Sequence, residues 1–349
     1  MADWLNEMVG KITDAGLKSA TLEFNGGSLL VTEKAGRVIG CAVDGVDENL
    51  FYSGGEIEPG YYGGGDRVWT APEVAFYWPS LEKAREDAIK WAKTPADVDP
   101  GDYRIVEAGA GHVVIRNAGM NLVDGRNSKK ISLDVTRKIC HAENPDGLPA
   151  GVKCMSYSIT NELQVTGGDE GAVVGVWDIL QVPPRGTLIC PLVKPLSAEG
   201  PTSYYDPFGD VHVQWDDDCV RYLIDANRRT KMGIKPEDTT GRMGYYRELE
   251  GEIATMIVRV FPVLPGLPYV DQPITNDADC VAGGDVLQAY NDDGSYGAFG
   301  EMEYHDAGVV VGQTDHHRSG TCVTHVLSGS IDDVKVAGQT LLGVDIRPI

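Results

Sequence analysis

The spacing of apolar residues predicts two helices in the first hundred residues. Near the start of the chain, apolar side chains recur with the 3.6-residue period of an amphipathic helix at Trp4, Leu5, Met8, Val9 and Ile12. This pattern predicts a helix over about residues 3–15, which Asp3 can cap and Gly16 can end. A second helix, capped by Ser80, is predicted over about residues 80–93 as an insertion between strands.

From Tyr103 onward the apolar period is two, which is typical of β-strands. Residues 131–135 alternate apolar and polar side chains, and residues 253–263 are apolar on both faces apart from Thr255 and Arg259. Further strand-like runs occur at 103–107, 112–117, 173–179, 211–215, 220–225, 299–305 and 321–327. Strands do not alternate with helices, which disfavours a parallel doubly wound sheet. The predicted fold class is therefore all-β, with one large β-sandwich domain over residues 1–349 and a few peripheral helices.

The charge balance narrows the class of partner. With 30 basic and 52 acidic residues, the chain carries a formal charge of -22, which repels phosphate backbones and anionic lipid surfaces. We therefore expect neither nucleic acid nor a membrane as a partner. The acidic start of the chain does not resemble a signal peptide, so a cytoplasmic location is expected. The seven cysteines are an odd number without a Cys-x-x-Cys pair, which predicts free thiols.

The first candidate binding motif is the glycine-rich stretch 61–73, YYGGGDRVWTAPE. Its glycines allow the backbone to approach a ligand closely, Arg67 offers a planar set of hydrogen-bond donors, and Trp69 offers a stacking face. Sugar sites combine such donors with aromatic faces. The alternative interpretation is a glycine-rich turn in which Arg67 pairs with Asp66 or Glu73.

A second motif places acidic groups on one strand. If residues 299–305 form a strand, Glu301, Glu303 and His305 share one face. Such crowding can raise the pKa of one carboxyl group and prepare it for proton transfer. The alternative is a solvated, charged strand face. The adjacent stretch 291–294 lacks the spacing of a calcium-binding loop and is predicted to be a turn.

The histidines do not predict a metal site. His316 and His317 are adjacent, so in a strand they would point to opposite faces, and His325 is interpreted as a histidine of the core. The sequence also lacks a phosphate-binding Walker loop, a dinucleotide-binding Gly-x-Gly-x-x-Gly turn after a strand, and the Gly-x-Ser-x-Gly turn of α/β-hydrolases. No metal and no cofactor are therefore predicted.

Taken together, these stretches resemble a bacterial family within the galactose-mutarotase-like superfamily, whose better-known members are aldose 1-epimerases. The resembling segments are 64–73, 204–209, 229–234, 289–292, 300–305 and 324–329. They span most of the chain from residue 60 to residue 330. The resemblance implies a galactose-mutarotase-like β-supersandwich with a sugar-binding cleft across one sheet, in agreement with the period of two.

The resemblance also implies roles for individual residues. Arg67 resembles the arginine that binds a sugar hydroxyl, and Glu303 resembles the glutamate that aldose 1-epimerases use as the general base. The chain departs from the family where epimerases carry a catalytic histidine before a Tyr-Phe pair, because Ser203 stands there. His212 is the predicted substitute for the general acid, with Lys231 as an alternative.

The leading functional hypothesis is a carbohydrate-binding protein that interconverts the anomers of a sugar by acid/base proton transfer. A non-catalytic sugar-binding protein is one alternative, and a glycoside hydrolase or lyase that uses Glu301 with Glu303 or Glu73 is another. The predicted catalytic residues are Glu303 and His212. The predicted sugar-binding residues are Arg67, Trp69, Glu73, Lys231, Asn291 and Glu301.

Overall fold

Strands dominate the part of the chain that the computed structural model describes, residues 2–205, 208, 211–274 and 283–349. Cys280 and part of the segment 204–209 lie outside the described residues. The strands are β1 (Ser19–Phe24), β2 (Gly27–Thr32), β3 (Arg37–Val43), β4 (Glu56–Glu58), β5 (Tyr61–Tyr62), β6 (Asp66–Ala71), β7 (Arg104–Gly109), β8 (His112–Val123), β9 (Lys130–His141), β10 (Lys153–Gly168), β11 (Val173–Val182), β12 (Gly186–Pro191), β13 (Thr202–Ser203), β14 (Val213–Trp215), β15 (Cys219–Ile224), β16 (Thr230–Ile234), β17 (Arg242–Glu248), β18 (Ile253–Val260), β19 (Leu287–Asn291), β20 (Gly300–His305), β21 (Val309–Val310) and β22 (His317–Ser330). The helices are α1 (Asp3–Asp14), α2 (Glu73–Phe76), α3 (Leu81–Glu86), α4 (Ala88–Trp91) and α5 (Ile331–Leu342), with a short 3₁₀ turn at Lys34–Gly36.

These strands form two large antiparallel sheets, which confirms the all-β prediction. The first sheet has the strand order β1-β2-β3-β6-β11-β20-β19-β16-β13, with β21 also paired to β11. The second sheet has the order β14-β15-β12-β17-β18-β22-β10-β9-β8-β7. Apolar side chains from both sheets form one continuous core between them. A separate short hairpin is formed by β4 and β5.

Three neighbouring strands at the centre of the first sheet, β6, β11 and β20, set the positions of the polar side chains. In the pairing register, Trp177 on β11 lies opposite Trp69 on β6 and opposite His305 on β20. Two residues further along β11, Ile179 lies opposite Arg67 and Glu303. Because side chains alternate between the faces of a strand, all of these residues project from one face of the sheet.

The opposite face of two of these strands, β6 and β11, contributes to a buried group of four charges, here called the ion cluster. It consists of Asp66 and Asp178 from the first sheet and Arg137 and Arg259 from the second, and all four side chains are fully buried. Each arginine contacts both aspartates. Asn161 adds a hydrogen bond of 2.7 Å to Asp178. The ion cluster therefore connects the two sheets in the middle of the core.

The two helical regions that the apolar spacing predicts are present, but the prediction missed α2 and α5. Asp3 is the first residue of α1 and does not cap it, because no side chain caps this helix. Helix α1 spans Asp3–Asp14, and the predicted insertion contains two short helices, α3 and α4, instead of one. Ser80 caps α3 as predicted, but Asp87 leaves the helical backbone conformation and accepts hydrogen bonds from the first amides of α4. Among the described helices, none combines the length and the apolar character that crossing a bilayer requires.

Candidate sugar site

A cavity of about 660 Å³ lies on the face of the first sheet that points away from the second sheet. This volume is within the range of roughly 300–1,000 Å³ that is typical of small-molecule sites. The strands of the sheet contribute mostly polar and aromatic side chains to it: Arg67 and Trp69 from β6, Trp177 and Gln181 from β11, Lys231 from β16, Tyr290 from β19 and Glu301 from β20. Alternation along each strand explains why these residues share one face.

Two segments outside the sheet cover this face. One contains the β4–β5 hairpin, which contributes Ile57 and neighbouring glycines to the lining. The other runs from Glu73 to Thr94 and includes α2, α3 and α4. The cavity is thus bounded by the sheet on one side and by these peripheral elements on the other.

Glu301 is held at the cavity wall by two donors. The Arg67 guanidinium lies 2.8 Å from Glu301 Oε1, and the Gln181 side-chain amide donates to the same oxygen at 2.8 Å. The ion-pair partner of Arg67 is therefore Glu301, and not Asp66 or Glu73 as in the alternative interpretation of the sequence. The Nε and Nη1 atoms of Arg67 are buried and have no hydrogen-bond partner within the described residues. Protein acceptors therefore leave part of the donor capacity of Arg67 unused.

Lys231 lies between two further carboxylates. Its ammonium nitrogen is 3.2 Å from Glu73 Oε2 and 3.2 Å from Glu303 Oε2. It also lies 4.3 Å from the ring centre of Trp177, whose indole N–H donates to Glu303 Oε2 at 2.7 Å. Lys231 and Trp177 line the cavity, whereas Glu303 is fully buried next to both of them.

The burial of these acids shifts their proton affinity. Burial raises the pKa of Glu303 to about 8, with a further contribution from the negative charges of Glu301 and Glu73, although Lys231 opposes the shift. Burial and Asp271 likewise raise the pKa of Glu73 against the effect of Lys231. Burial disfavours a charge on Lys231, but Glu303 and Glu73 outweigh this effect and raise its pKa well above the ordinary value. A pKa of about 8 keeps Glu303 largely protonated at neutral pH, and the negative charge of Glu73 then favours the charged form of Lys231.

This shift predicts a pH-dependent contribution of Glu303 to stability. A carboxyl group whose pKa is about 8 in the folded protein, against an ordinary 4.5, stabilises the fold when it is protonated. The free energy of unfolding, measured by urea titration relative to Glu303→Gln, should be highest below about pH 4.5 and should fall as the pH rises towards about 8. If the difference in the free energy of unfolding between wild type and Glu303→Gln stays constant over this pH range, the raised pKa of Glu303 is contradicted.

His305 completes the polar face of β20 but does not reach the cavity. It stacks on Trp177 with ring centres 5.7 Å apart, and both of its ring nitrogens are buried without a hydrogen-bond partner within the described residues. Burial lowers the pKa of His305 to about 4. This histidine is therefore neutral at physiological pH and packs against the back of Trp177. The shared face predicted for Glu301, Glu303 and His305 is present in the structure.

The ring of Trp69 is engaged by protein groups. Tyr77 stacks on it with ring centres 5.1 Å apart, and the Arg67 guanidinium lies 4.4 Å from its ring centre. Its indole N–H donates to Asp99 at 2.9 Å, and Asp99 in turn pairs with Arg37. Less of the ring is free for a ligand than the sequence suggests, and the orientation of Trp69 is fixed by buried polar groups.

The structure brings together most of the predicted site residues, but it separates two of them. Arg67, Trp69, Glu73, Lys231 and Glu301 line one cavity. Glu303 is in direct contact with that lining through Lys231 and Trp177.

His212 and Asn291 do not lie at the cavity. His212 is next to β15 in the second sheet, where its Nε2 lies 3.3 Å from Asp225. Asn291 follows Tyr290 on β19 and projects from the opposite face, where it accepts hydrogen bonds from the amides of Asp225 and Ala226. Both residues were predicted because they are close in sequence to a site motif. Closeness in sequence does not determine the sheet in which a residue lies or the face from which its side chain projects.

Several lining residues were missed. Trp177 and Gln181 lie on β11, where all ten residues are buried, so hydrophobicity gives no signal that one face is a binding site. Tyr205 and Tyr290 belong to segments that resemble the epimerase family, and this was the available signal for them. The predicted turn at 291–294 is present, since Asp292 accepts a hydrogen bond from the amide of Gly294.

No metal-binding group is found among the described residues. The sequence interprets His325 as a core histidine, but its side chain is only half-buried, and its Nδ1 lies 2.7 Å from the Ser156 hydroxyl. The six described cysteines are free thiols. The lining side chains provide hydrogen-bonding groups, charge and aromatic surface.

The two sheets and the cavity on one of them define a galactose-mutarotase-like fold. The structure is similar to that of a putative aldose 1-epimerase from Escherichia coli K12, with a TM-score of 0.53 and 12% identity over 90% of this chain and 100% of that chain. A galactose mutarotase-like protein from Lactobacillus casei ATCC 334 gives a TM-score of 0.47 and 7% identity over 88% and 100% of the respective chains. Such low identities show the fold alone. The chain belongs to a family of unknown function, DUF6786, whose model matches residues 37–349. A search of curated proteins gives no match.

Proposed function

We propose that this protein binds a sugar in the cavity and interconverts its anomers by proton transfer, as an aldose-1-epimerase-like enzyme. One observation carries the proposal: Arg67, Glu301 and Lys231 line a single cavity together with aromatic side chains. Sugar hydroxyls need charged donors and acceptors, and the C–H faces of the ring pack on aromatic surfaces. The galactose-mutarotase-like fold is consistent with this ligand class.

The proposed base is Glu301. The sequence motif favours Glu303 for this role, but of these two carboxyl groups on β20 it is Glu301 that lines the cavity, and a base must approach the proton it removes. In the proposed step Glu301 takes the proton of the anomeric hydroxyl. The anomeric carbon becomes a carbonyl carbon as its bond to the ring oxygen breaks. The aldehyde group of the opened sugar can then rotate before the ring closes on either face.

The proposed acid is the pair formed by Lys231 and Glu303. As the ring oxygen leaves, Lys231 donates a proton to it and receives the proton of Glu303 at the 3.2 Å contact. The pKa of Lys231 alone is too high for an effective acid. Because Glu303 gives up its proton in the same step, the pair donates with the acidity of Glu303, whose pKa is about 8. Neighbouring carboxyl groups with different proton affinities are typical of acid/base sites.

This mechanism predicts how the rate depends on pH. Glu303 must be protonated, so the rate of mutarotation should be constant at neutral pH and should fall as the pH rises through about 8. The rate can be followed by polarimetry on freshly dissolved α-glucose, α-galactose and related sugars. The Glu303→Gln variant should be slower and should lack the fall near pH 8. A wild-type rate that increases through pH 8 would indicate that ionised Glu303 is the base instead.

A non-catalytic sugar-binding protein is the second candidate function. It is favoured by the absence of histidine from the described lining, since epimerases use histidine as the acid. This candidate would be supported if calorimetry detects sugar binding while polarimetry shows no catalysed change in optical rotation. That result would exclude the epimerase-like reaction.

A further inference from the structure

The mouth of the cavity carries apolar side chains that are exposed to solvent. Ile57, Ile89 and Tyr296 are 62%, 54% and 58% exposed, and all three line the cavity. They come from three separate segments: β4, α4 and the loop before β20. We call these three residues the rim. Single exposed apolar residues are common on protein surfaces, but a group of them at the edge of one cavity indicates a binding surface.

The rim lies beyond what one sugar ring requires. The charged groups of the proposed reaction, Glu301 and Lys231, are buried at the sheet, whereas the rim is open to solvent. The cavity of about 660 Å³ includes both regions. Pockets of this size enclose drug-sized ligands, which are larger than a single pyranose ring. A monosaccharide in contact with Glu301 would leave the outer part of the cavity empty.

Polar groups lie among the apolar residues of the outer region. The Arg229 guanidinium lies 5.0 Å from the ring centre of Tyr296, and one of its terminal nitrogens is 3.3 Å from Asp293. The Nε of Arg229 is buried and has no hydrogen-bond partner within the described residues. Arg229 and Tyr296 both line the cavity. An aromatic ring beside a charged hydrogen-bonding group is suited to a second sugar residue, which offers a C–H face and hydroxyls together.

We infer that the ligand is an oligosaccharide of at least two residues, with its reducing end at Glu301 and Lys231 and its second residue at the rim. This inference rests on the proposed function, because it takes the inner region as the site of the reacting sugar. The free anomeric hydroxyl must lie inside for proton transfer, so the rest of the oligosaccharide leaves the cavity past Ile57, Ile89 and Tyr296.

The experiment compares matched pairs of probes by calorimetry: glucose with maltose and cellobiose, xylose with xylobiose, and mannose with mannobiose. For the sugar that binds, the disaccharide should bind about tenfold more tightly than the monosaccharide. The variants Ile57→Ser, Ile89→Ser and Tyr296→Ala should remove most of this difference and leave monosaccharide affinity unchanged. Val336→Ser, at a residue that is 53% exposed on α5, is the matched control and should change neither affinity.

The outcomes separate this inference from the proposed function. Equal affinity for a monosaccharide and its disaccharide would overturn the inference while leaving the proposed function intact. Failure of every probe to bind would overturn both. Glucose with a benzyl ether at O4 tests the occupant of the rim: if it binds more tightly than cellobiose and loses that advantage in Tyr296→Ala, the rim binds an apolar substituent and the inference is wrong.

Discussion

Replacement of Glu301 by Gln should slow mutarotation at least about a hundredfold, at the lower end of what a general acid or base contributes. Glutamine keeps the shape of the side chain and a carbonyl oxygen that can still accept hydrogen bonds from Arg67 and Gln181. It cannot accept the anomeric proton. The rate constant should therefore fall much more than the affinity for the sugar, and polarimetry with parallel calorimetry measures both quantities.

The comparison with Glu303→Gln separates the roles of the two carboxyl groups. If Glu301 is the base, Glu303→Gln should have the smaller effect, because Lys231 remains able to stabilise the charge that develops on the ring oxygen. If Glu303→Gln abolishes the reaction while Glu301→Gln retains it, the base is Glu303, as the sequence motif suggests. The urea unfolding midpoint of each variant shows whether loss of the buried partner of Arg67 or Lys231 has disturbed the fold.

Replacement of Arg259 by Met should destabilise the protein by about 3–5 kcal/mol, which is typical when one partner of a buried ion pair is removed. Arg259 contacts Asp66 and Asp178 and donates to the carbonyl of Met302 at 3.0 Å. Methionine fills similar space but leaves two buried aspartates with Arg137 as their cation in the ion cluster. The free energy of unfolding from urea titration gives the size of the effect.

The control is a second arginine in the same sheet. Arg116 on β8 pairs with Asp134 at 2.7 Å, but its side chain is 51% exposed. Arg116→Met should therefore change stability by less than about 1 kcal/mol, as is usual for exposed ion pairs. If Arg259→Met lowers the free energy of unfolding no more than Arg116→Met does, the charges of the ion cluster do not stabilise the fold, and packing alone explains the arrangement.

The sequence contains the information for the fold class and for part of the site. A period of two is a local property, so the strand that carries Glu301, Glu303 and His305 could be predicted together with the face they share. The pairing of Arg67 with Glu301 could not, because the two residues are 234 positions apart and their contact depends on the order of strands in the sheet. Strand order is determined by non-local pairing, which no short stretch of sequence specifies.

The wrong assignments and the missed residues have the same physical cause, because both depend on contacts between residues far apart in the sequence. His212 is close in sequence to the segment 204–209 and yet lies beside the second sheet. The sequence did not predict the ion cluster, since Asp66 and Arg259 are 193 positions apart. Asp66 adjoins Arg67 in the sequence, and Arg259 is a single charge in an apolar strand, so neither position indicates its true partner. Non-local contacts likewise determine which carboxyl group of β20 reaches the cavity. Lys231 and Trp177 contact Glu303 and bury it, whereas Glu301 lines the cavity.

The neighbouring positions of site and ion cluster constrain how this chain can change during evolution. On β6 the cavity residue Arg67 directly follows Asp66, and on β11 Trp177 directly precedes Asp178. Insertion or deletion of one residue in either strand would exchange the two faces, moving a charged core residue into the cavity and a cavity residue into the core. Relatives of this protein should therefore differ in these strands by substitution alone. Changes of length should accumulate in the hairpin around Ile57 and in the segment from Glu73 to Thr94, where they would alter the ligand that is accepted without disturbing the sheets.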